Sequence, residues 1–193
     1  MLLQNKYKNH QIILGSQSPR RKELLNGLHL DFEVLSLQVE ESYPEFLEKQ
    51  EVTEYLCAKK AAAYQHKSHR SILITADTLV WLDNQVLEKP KDANTAFEML
   101  QKLSGQTHEV ITSVGLFSKD KQVIFSDKTQ VTFEKLNAEE IDYYIKTCQP
   151  FDKAGSYGIQ EWIGLMGVSQ IIGSYFTVMG LPVHLLYKEL KEF

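Results

Sequence analysis

QIILGSQSPRRKELLNG, residues 11–27, is the stretch on which the fold turns. QIIL has the short apolar character of a buried strand. Ser18 then offers an N-cap hydroxyl, Pro19 suits the first helical position and Gly27 can close a helix, so a helix is expected over 19–26. Arg20 and Arg21 fall in the first turn of that helix, where the dipole already places partial positive charge. A loop of small polar residues that opens a helix, here with Ser16 and Ser18, presents backbone N–H groups to an anion, and two guanidiniums add forks suited to phosphate oxygens. The same residues also read as a capped surface helix whose arginines reach back to nearby carboxylates.

Outward from this strand–loop–helix unit, strands and helices keep mixing. A helix is expected over 53–66 with Thr53 as cap, and SILITA, 71–76, as a buried strand. TLVWL and QVLEK flank Asp83-Asn84, a pair that suits a two-residue hairpin turn. Ala93, Ala96, Phe97, Leu100 and Leu103 recur at helical spacing and stop at Ser104-Gly105. Strand-like runs over 108–118 and 122–135 surround Lys119-Asp120-Lys121. Asn137 with Glu140 forms a capping-box pattern for a helix over 138–147. Residues 150–182 are glycine-rich and read as irregular, and HLLYKELKEF closes the chain as an amphipathic helix. The mixture predicts an α/β or α+β sheet domain.

Several side chains stand where chemistry is done. Asp77 ends the run SILITAD, at the kind of strand end where open sheets place their sites. With a two-residue turn at 83–84, Leu82 pairs with Gln85 and Thr78 faces Lys89, which would bring Lys89 beside Asp77. That pair can serve a metal–phosphate or a water, or be an ordinary cross-strand ion pair. Glu40-Glu41 follow the alternating run FEVLSLQV and offer the hard oxygens magnesium prefers, or simply a solvated strand end. Of Lys59 and Lys60, one is expected to point inward. FDKAGSYGIQ, 151–160, combines the Asp152-Lys153 pair, two glycines and Gln160, whose amide both donates and accepts as reading a base edge requires. His66 and His69 have a metal-like spacing without a third ligand, and Tyr143, Tyr144 and Trp162 read as packing residues.

Composition narrows the classes. The 193 residues suit one domain, and a formal net charge of −4 excludes nucleic-acid binding by bulk charge. Cys57 and Cys148 are the only cysteines, and two thiols without C-x-x-C spacing support neither a disulfide framework nor a thiolate metal site. MLLQNKYKNHQ lacks a signal peptide's apolar core and no run approaches a membrane span, so a cytoplasmic protein without membrane or nucleic-acid partners is expected. A homodimer is the assembly to test.

In collinear order, LGSQSPRRKELL, Glu40-Glu41, LCAKKA around Lys60, ADT at Asp77, LEKPKDANTAFEML, LSGQTHEVIT, FDKAGSYGIQ and GSYFTVMGLP resemble the Maf family of nucleoside triphosphate pyrophosphatases, from Ile13 to about Pro182. The resemblance implies a single α/β domain over 1–193, two lobes around a central cleft, with a long bent mixed sheet flanked by helices and kinship to the inosine triphosphate pyrophosphatases. It implies hydrolysis between the α and β phosphates with a divalent metal, Mg²⁺ or in its place Mn²⁺ or Co²⁺.

By position, the resemblance makes Asp77 the proton acceptor, with Lys89, Lys60 and Arg21 beside it in catalysis and Glu41 and Asp77 as metal ligands. Ser16, Ser18, Arg20, Arg21, Thr78, Lys89, Asp152, Lys153 and Gln160 become substrate-binding, with Arg20, Thr78 and Gln160 setting specificity. Those three positions resemble the branch that prefers dTTP and UTP, while a sister branch acting on 7-methyl-GTP has an aromatic residue in place of Arg20. Glu161 departs from the family, which carries glycine there. The rival readings are a non-catalytic nucleotide-binding regulator of cell division and a general phosphatase.

Overall fold

The computed structural model describes residues 2–65 and 68–193. The expected His66–His69 pair therefore lies partly outside the described residues; the second helix, expected to run to 66, ends at Ala62. The elements are, in chain order, α1 (Leu3–Tyr7), β1 (Gln11–Leu14), α2 (Pro19–Asn26), β2 (Phe32–Val34), α3 (Gln50–Ala62), β3 (Ser71–Leu82), β4 (Gln85–Leu87), α4 (Ala93–Leu103), β5 (Thr107–Phe117), β6 (Gln122–Phe133) and α5 (Ala138–Cys148). A 3-10 turn (Ala154–Ser156), α6 (Trp162–Gly167), β7 (Val168–Ile172), α7 (Tyr175–Met179) and α8 (Val183–Glu192) complete the described elements. Six strands hydrogen-bond in the order β2-β1-β3-β5-β6-β7, and β4 pairs with β3. β1 runs parallel to both β2 and β3, whereas β3–β4 and β6–β7 are antiparallel. The mixed α/β class is thus the one expected.

The chain gathers into two compact units. The first holds Met1–Asp77, Thr112–Asp127 and Gly180–Phe193; the second holds Thr78–Ile111 and Lys128–Met179. In the first, β1 and β3 are buried on both faces, which is why QIIL and SILITA read as continuous apolar runs. Ile12, Leu14, Ile72 and Ile74 face a core shared with Leu25, Leu116, Leu186 and Leu190. Ile13 and Leu73 face the other way, onto Phe117. α1 is held by long-range bonds: the Tyr7 hydroxyl donates to the Leu190 carbonyl at 2.6 Å and Lys6 Nζ to that of Lys191 at 2.8 Å.

In the second unit, Asp83 (φ 48°) and Asn84 (φ 61°) both take the left-handed conformation of a type I′ turn, and Leu82 pairs with Gln85 as expected. The ladder stops at Val80–Leu87, so the pairing does not carry Lys89 to Thr78. Asp92 caps α4 by accepting from the Thr95 N–H at 2.7 Å, and burial of Ala96, Leu100 and Leu103 confirms the helical face. Asn137 and Glu140 make both bonds of the capping box on α5. Tyr157 packs edge-on against Phe133 and His108, and its hydroxyl lies 2.7 Å from His108 Nε2. Burial pushes the His108 imidazole down to about 4.

Three local expectations need correction. Ser18 stands at the N-cap of α2 but its hydroxyl caps nothing, although the helix runs from Pro19 to Asn26 and closes at Gly27 as expected. Thr53 lies inside α3, which starts at Gln50 after Lys49 turns at φ 50°; the Thr53 hydroxyl bonds the Gln50 carbonyl instead. Residues 150–182 hold a strand and three short helical segments rather than irregular chain.

Candidate active site

In the first unit a cluster of charged side chains lies just past the carboxyl end of β1, beside the middle of β3; Asp77, expected to end its strand, lies inside β3, which runs unbroken from Ser71 to Leu82. β1 and β3 pair through Leu14–Ile74, and the Gly15 N–H extends that ladder to the Ile74 carbonyl at 2.8 Å. The loop 15–18 therefore leaves β1 just where β3 runs on to Asp77. Glycine at 15 lets its neighbours pack close: a Cβ there would sit 2.6 Å from Leu37 Cδ1 and within 3.4 Å of Leu73 and Thr75, and those side chains would have to move.

Lys60 is aimed at Asp77 by the way α3 is fastened. The Thr53 hydroxyl meets that of Ser113 at 2.5 Å, the Cys57 thiol donates to the Ser113 carbonyl at 3.3 Å, and the Thr75 hydroxyl donates to the Cys57 carbonyl at 3.0 Å. Three bonds along one helix face fix its rotation, and the next turn presents Lys60, 8% exposed. Its Nζ lies 2.5 Å from Asp77 Oδ1 and 2.9 Å from Glu41 Oε1. Lys59 points the other way and binds the carbonyl and hydroxyl of Ser42 at 2.8 and 2.9 Å, which anchors the segment that carries Glu41. The inward lysine of the pair is thus Lys60. Lys59 has a supporting role that the sequence signalled only as a repeated residue.

Arg21 completes the group. Its Nε donates to the Gly180 carbonyl at 2.8 Å and its Nη1 to the Ser16 hydroxyl at 3.3 Å, while that hydroxyl also accepts from the Ser18 N–H at 3.3 Å. Burial pulls the guanidinium below its ordinary value, opposed first by Asp77 and further depressed by neighbouring Arg20. The Cys57 thiol is pushed up to about 12 by burial and by Asp77, so it stays protonated and is no nucleophile.

What this arrangement can do follows from its parts. Asp77 is a nearly buried carboxylate, 8% exposed, on a rigid strand, with cations on hand to neutralise transferred or bound negative charge. Glu41 and Asp77 converge on one nitrogen, so two hard carboxylates face a common point; magnesium takes one or two such groups together with water and phosphate oxygens, and the donor set fits it. Among the described residues, no group of three or more His, Cys, Asp or Glu could hold a metal alone. His69 is instead paired with Asp120 at 2.9 Å.

The remaining expected site residues, Thr78, Lys89, Asp152, Lys153 and Gln160, belong to the second unit. Lys153, 7% exposed, places its Nζ 2.6 Å from Asp152 Oδ1 and 3.0 Å from Glu161 Oε1. The Tyr144 hydroxyl donates to Glu161 Oε2 and accepts from the Gly158 N–H at 2.9 Å. Tyr144 is fully buried, and both burial and Glu161 raise its hydroxyl well above the ordinary tyrosine value. Tyr143, by contrast, is half exposed and packs edge-on against Trp162 with centroids 4.9 Å apart.

A mixed sheet flanked by helices, with a carboxylate–lysine–arginine cluster past the end of β1, makes this an α/β protein whose site is chemically suited to a phosphorylated ligand. A Maf-like protein family model matches residues 11–193, and the chain belongs to that family. It is 55% identical over 193 residues to a dTTP/UTP pyrophosphatase of Phocaeicola vulgatus, covering 99% of this chain and 100% of that one. Proteins of the same name from Flavobacterium psychrophilum and Porphyromonas gingivalis are 54% and 50% identical, each over 96% of both chains. The fold is also that of the Ham1 protein of Staphylococcus aureus, with a TM-score of 0.54 at 15% identity, covering 94% of this chain and 98% of that one.

Proposed function

We propose that this chain hydrolyses nucleoside triphosphates between the α and β phosphates, releasing the monophosphate and diphosphate, with dTTP and UTP, or modified pyrimidine relatives, as substrates. One observation carries the reading. Glu41 and Asp77 meet on Lys60 beside β3, in a Maf-like chain half or more identical to dTTP/UTP pyrophosphatases over nearly its full length.

In this reading Asp77 accepts the proton of the attacking water as it adds in line to the α-phosphorus. Lys60 and Arg21 stabilise charge on the phosphates and on the leaving diphosphate. Ser16, Ser18 and the loop amides bind phosphate oxygens at the start of α2. Glu41 and Asp77 would hold the divalent cation, Mg²⁺ or in its place Mn²⁺ or Co²⁺, which supplies polarisation of the phosphate oxygens when bound. Thr78, Lys89, Asp152, Lys153 and Gln160 are proposed as substrate-binding, and Arg20, Thr78 and Gln160 as setting base preference; family membership supports this part. No described helix is long and apolar enough to cross a membrane. Work in the cytoplasm, without membrane or nucleic-acid partners, is part of the proposal. A homodimer completes the proposal and is read by sedimentation.

Product analysis with purified protein, Mg²⁺ and a panel of dTTP, UTP, CTP, 5-methyl-UTP and 7-methyl-GTP tests it. Monophosphate and diphosphate from dTTP and UTP are expected. Orthophosphate as sole product would replace the reading with a general phosphatase, binding without turnover with a regulator, and a preference for 7-methyl-GTP with the sister activity.

A further inference from the structure

Glu161 is a poor choice for the place it occupies. It stands at the N-cap of α6, where short polar side chains are favoured, and its carboxylate caps nothing. It turns back instead to the preceding loop. One oxygen meets Lys153 Nζ at 3.0 Å, and the other accepts from the Tyr144 hydroxyl, which in turn accepts from the Gly158 N–H at 2.9 Å. The carboxyl lies so close to Gly158 that a Cβ there would fall 2.7 Å from Glu161 Cδ, so residue 158 must be glycine for the clasp to close. Glu161 thus ties the first, middle and last parts of residues 153–161 to one fully buried tyrosine.

The clasp has two consequences at its neighbour Gln160. The Lys153 ammonium is shared between Asp152 and Glu161, two carboxylates to one cation, which makes this loop unsuited to hold a triphosphate. What the loop keeps in hand is Gln160, whose amide oxygen is buried without a hydrogen-bond partner. An acceptor left unpaired at that cost points to a ligand donor. We propose that Glu161 is a positioning residue for the nucleobase: through Lys153 and Tyr144 it holds Gln160 in place to bond the base edge and leaves recognition of the phosphates untouched. This deepens the function proposed above and rests on it.

The test measures binding rather than turnover, so it stands even where the hydrolytic reading fails. The dissociation constants of α,β-methylene dTTP and of inorganic tripolyphosphate are measured by calorimetry, with Mg²⁺, for the parent protein, Glu161→Ala and Glu161→Gln. Glu161→Ala is expected to weaken the nucleotide analogue about tenfold and tripolyphosphate less than twofold. Glu161→Gln, which still accepts from Tyr144, stays within about threefold of the parent for both. Tyr144→Phe keeps the buried ring and removes its hydroxyl, and weakens the analogue selectively by about threefold; it decides the matter where Glu161→Ala fails to fold. Equal weakening of both ligands, or no change in either, overturns the proposal. Absence of dTTP hydrolysis by the parent counts against the enzymatic reading alone.

Discussion

Lys60→Met isolates the ion pair at the centre of the first unit's charged cluster. The replaced ammonium has a side chain 10% exposed and lies 2.5 Å from Asp77, itself 12% exposed, and 2.9 Å from Glu41, 42% exposed. Breaking a buried pair by removing one partner costs about 3–5 kcal/mol, because the other charge stays behind. The Glu41 arm contributes little of this, since a half-solvated carboxylate relaxes into water. Arg21 still acts on Asp77, which places the loss at the lower end, about 3 kcal/mol. For a chain of this size that lowers the midpoint by roughly 6–12 °C in differential scanning calorimetry. The companion variant carrying both Lys60→Met and Asp77→Asn no longer strands the Asp77 charge and recovers at least about 1 kcal/mol relative to the sum of the single changes. A single variant melting within 2 °C of the parent, by order of magnitude under 1 kcal/mol, or strict additivity in the double variant, would refute the reasoning.

Asp77→Asn keeps the shape of the side chain and removes its basicity; hydrolysis of dTTP is expected to fall at least about a thousandfold while nucleotide affinity stays within a few-fold, and retained turnover removes Asp77 from the role of base. His108 is neutral in the folded chain down to about pH 4, whereas the unfolded chain protonates it near 6.5. The unfolded state thus binds the extra proton between those values, so stability is lost as pH falls from 6.5 toward 4, by about 3 kcal/mol from this group. His108→Gln still bonds the Tyr157 hydroxyl and should flatten that part of the urea-denaturation profile; an unchanged slope contradicts it. Gly155→Ala places a Cβ at φ 68° and 2.9 Å from Val80 Cγ2, for a loss of about 2–4 kcal/mol, checked by the same denaturation.

The parts of the fold that could be read in advance are those fixed by neighbours in sequence. β1, its loop and α2 follow from a double-faced apolar run and a proline at the first helical turn. The hairpin register follows from two residues that tolerate positive φ, and α5 from a reciprocal cap within four residues. The failures share the opposite property. α1 is five residues long, too short to hold alone, and depends on bonds to residues more than 180 positions away. α3 begins three residues before Thr53 because that hydroxyl is occupied by Gln50 and Ser113 inside the fold. β7 lies at a sheet edge with no fully buried residue, Val168 and Ile171 half-buried and Ser169, Gln170 and Ile172 exposed, so its apolar signal is too thin to stand out from the glycines around it.

Candidate site residues were legible as types and not as partners, and Arg20 and Arg21 show why. α2 has no acidic residue in its first turn to offset the dipole, so two cations at that end needed another explanation. Sequence offered an anion or reaching back to nearby carboxylates. Arg21 spends two donors on Gly180 and Ser16 and feels Asp77 across the cluster, so both readings describe one side chain in different circumstances. The same holds for Lys60, whose carboxylate partners lie 17 and 19 residues away in opposite directions along the chain. Within the first unit, Arg21 and Lys60 are offset by Asp77 and Glu41, so the cluster is close to neutral as it stands. A polyphosphate would have to draw the cations off their carboxylates, and the freed carboxylates would then need positive charge of their own. On the function proposed above, that exchange would favour a divalent cation arriving together with the substrate, each offsetting charge that the other leaves uncovered.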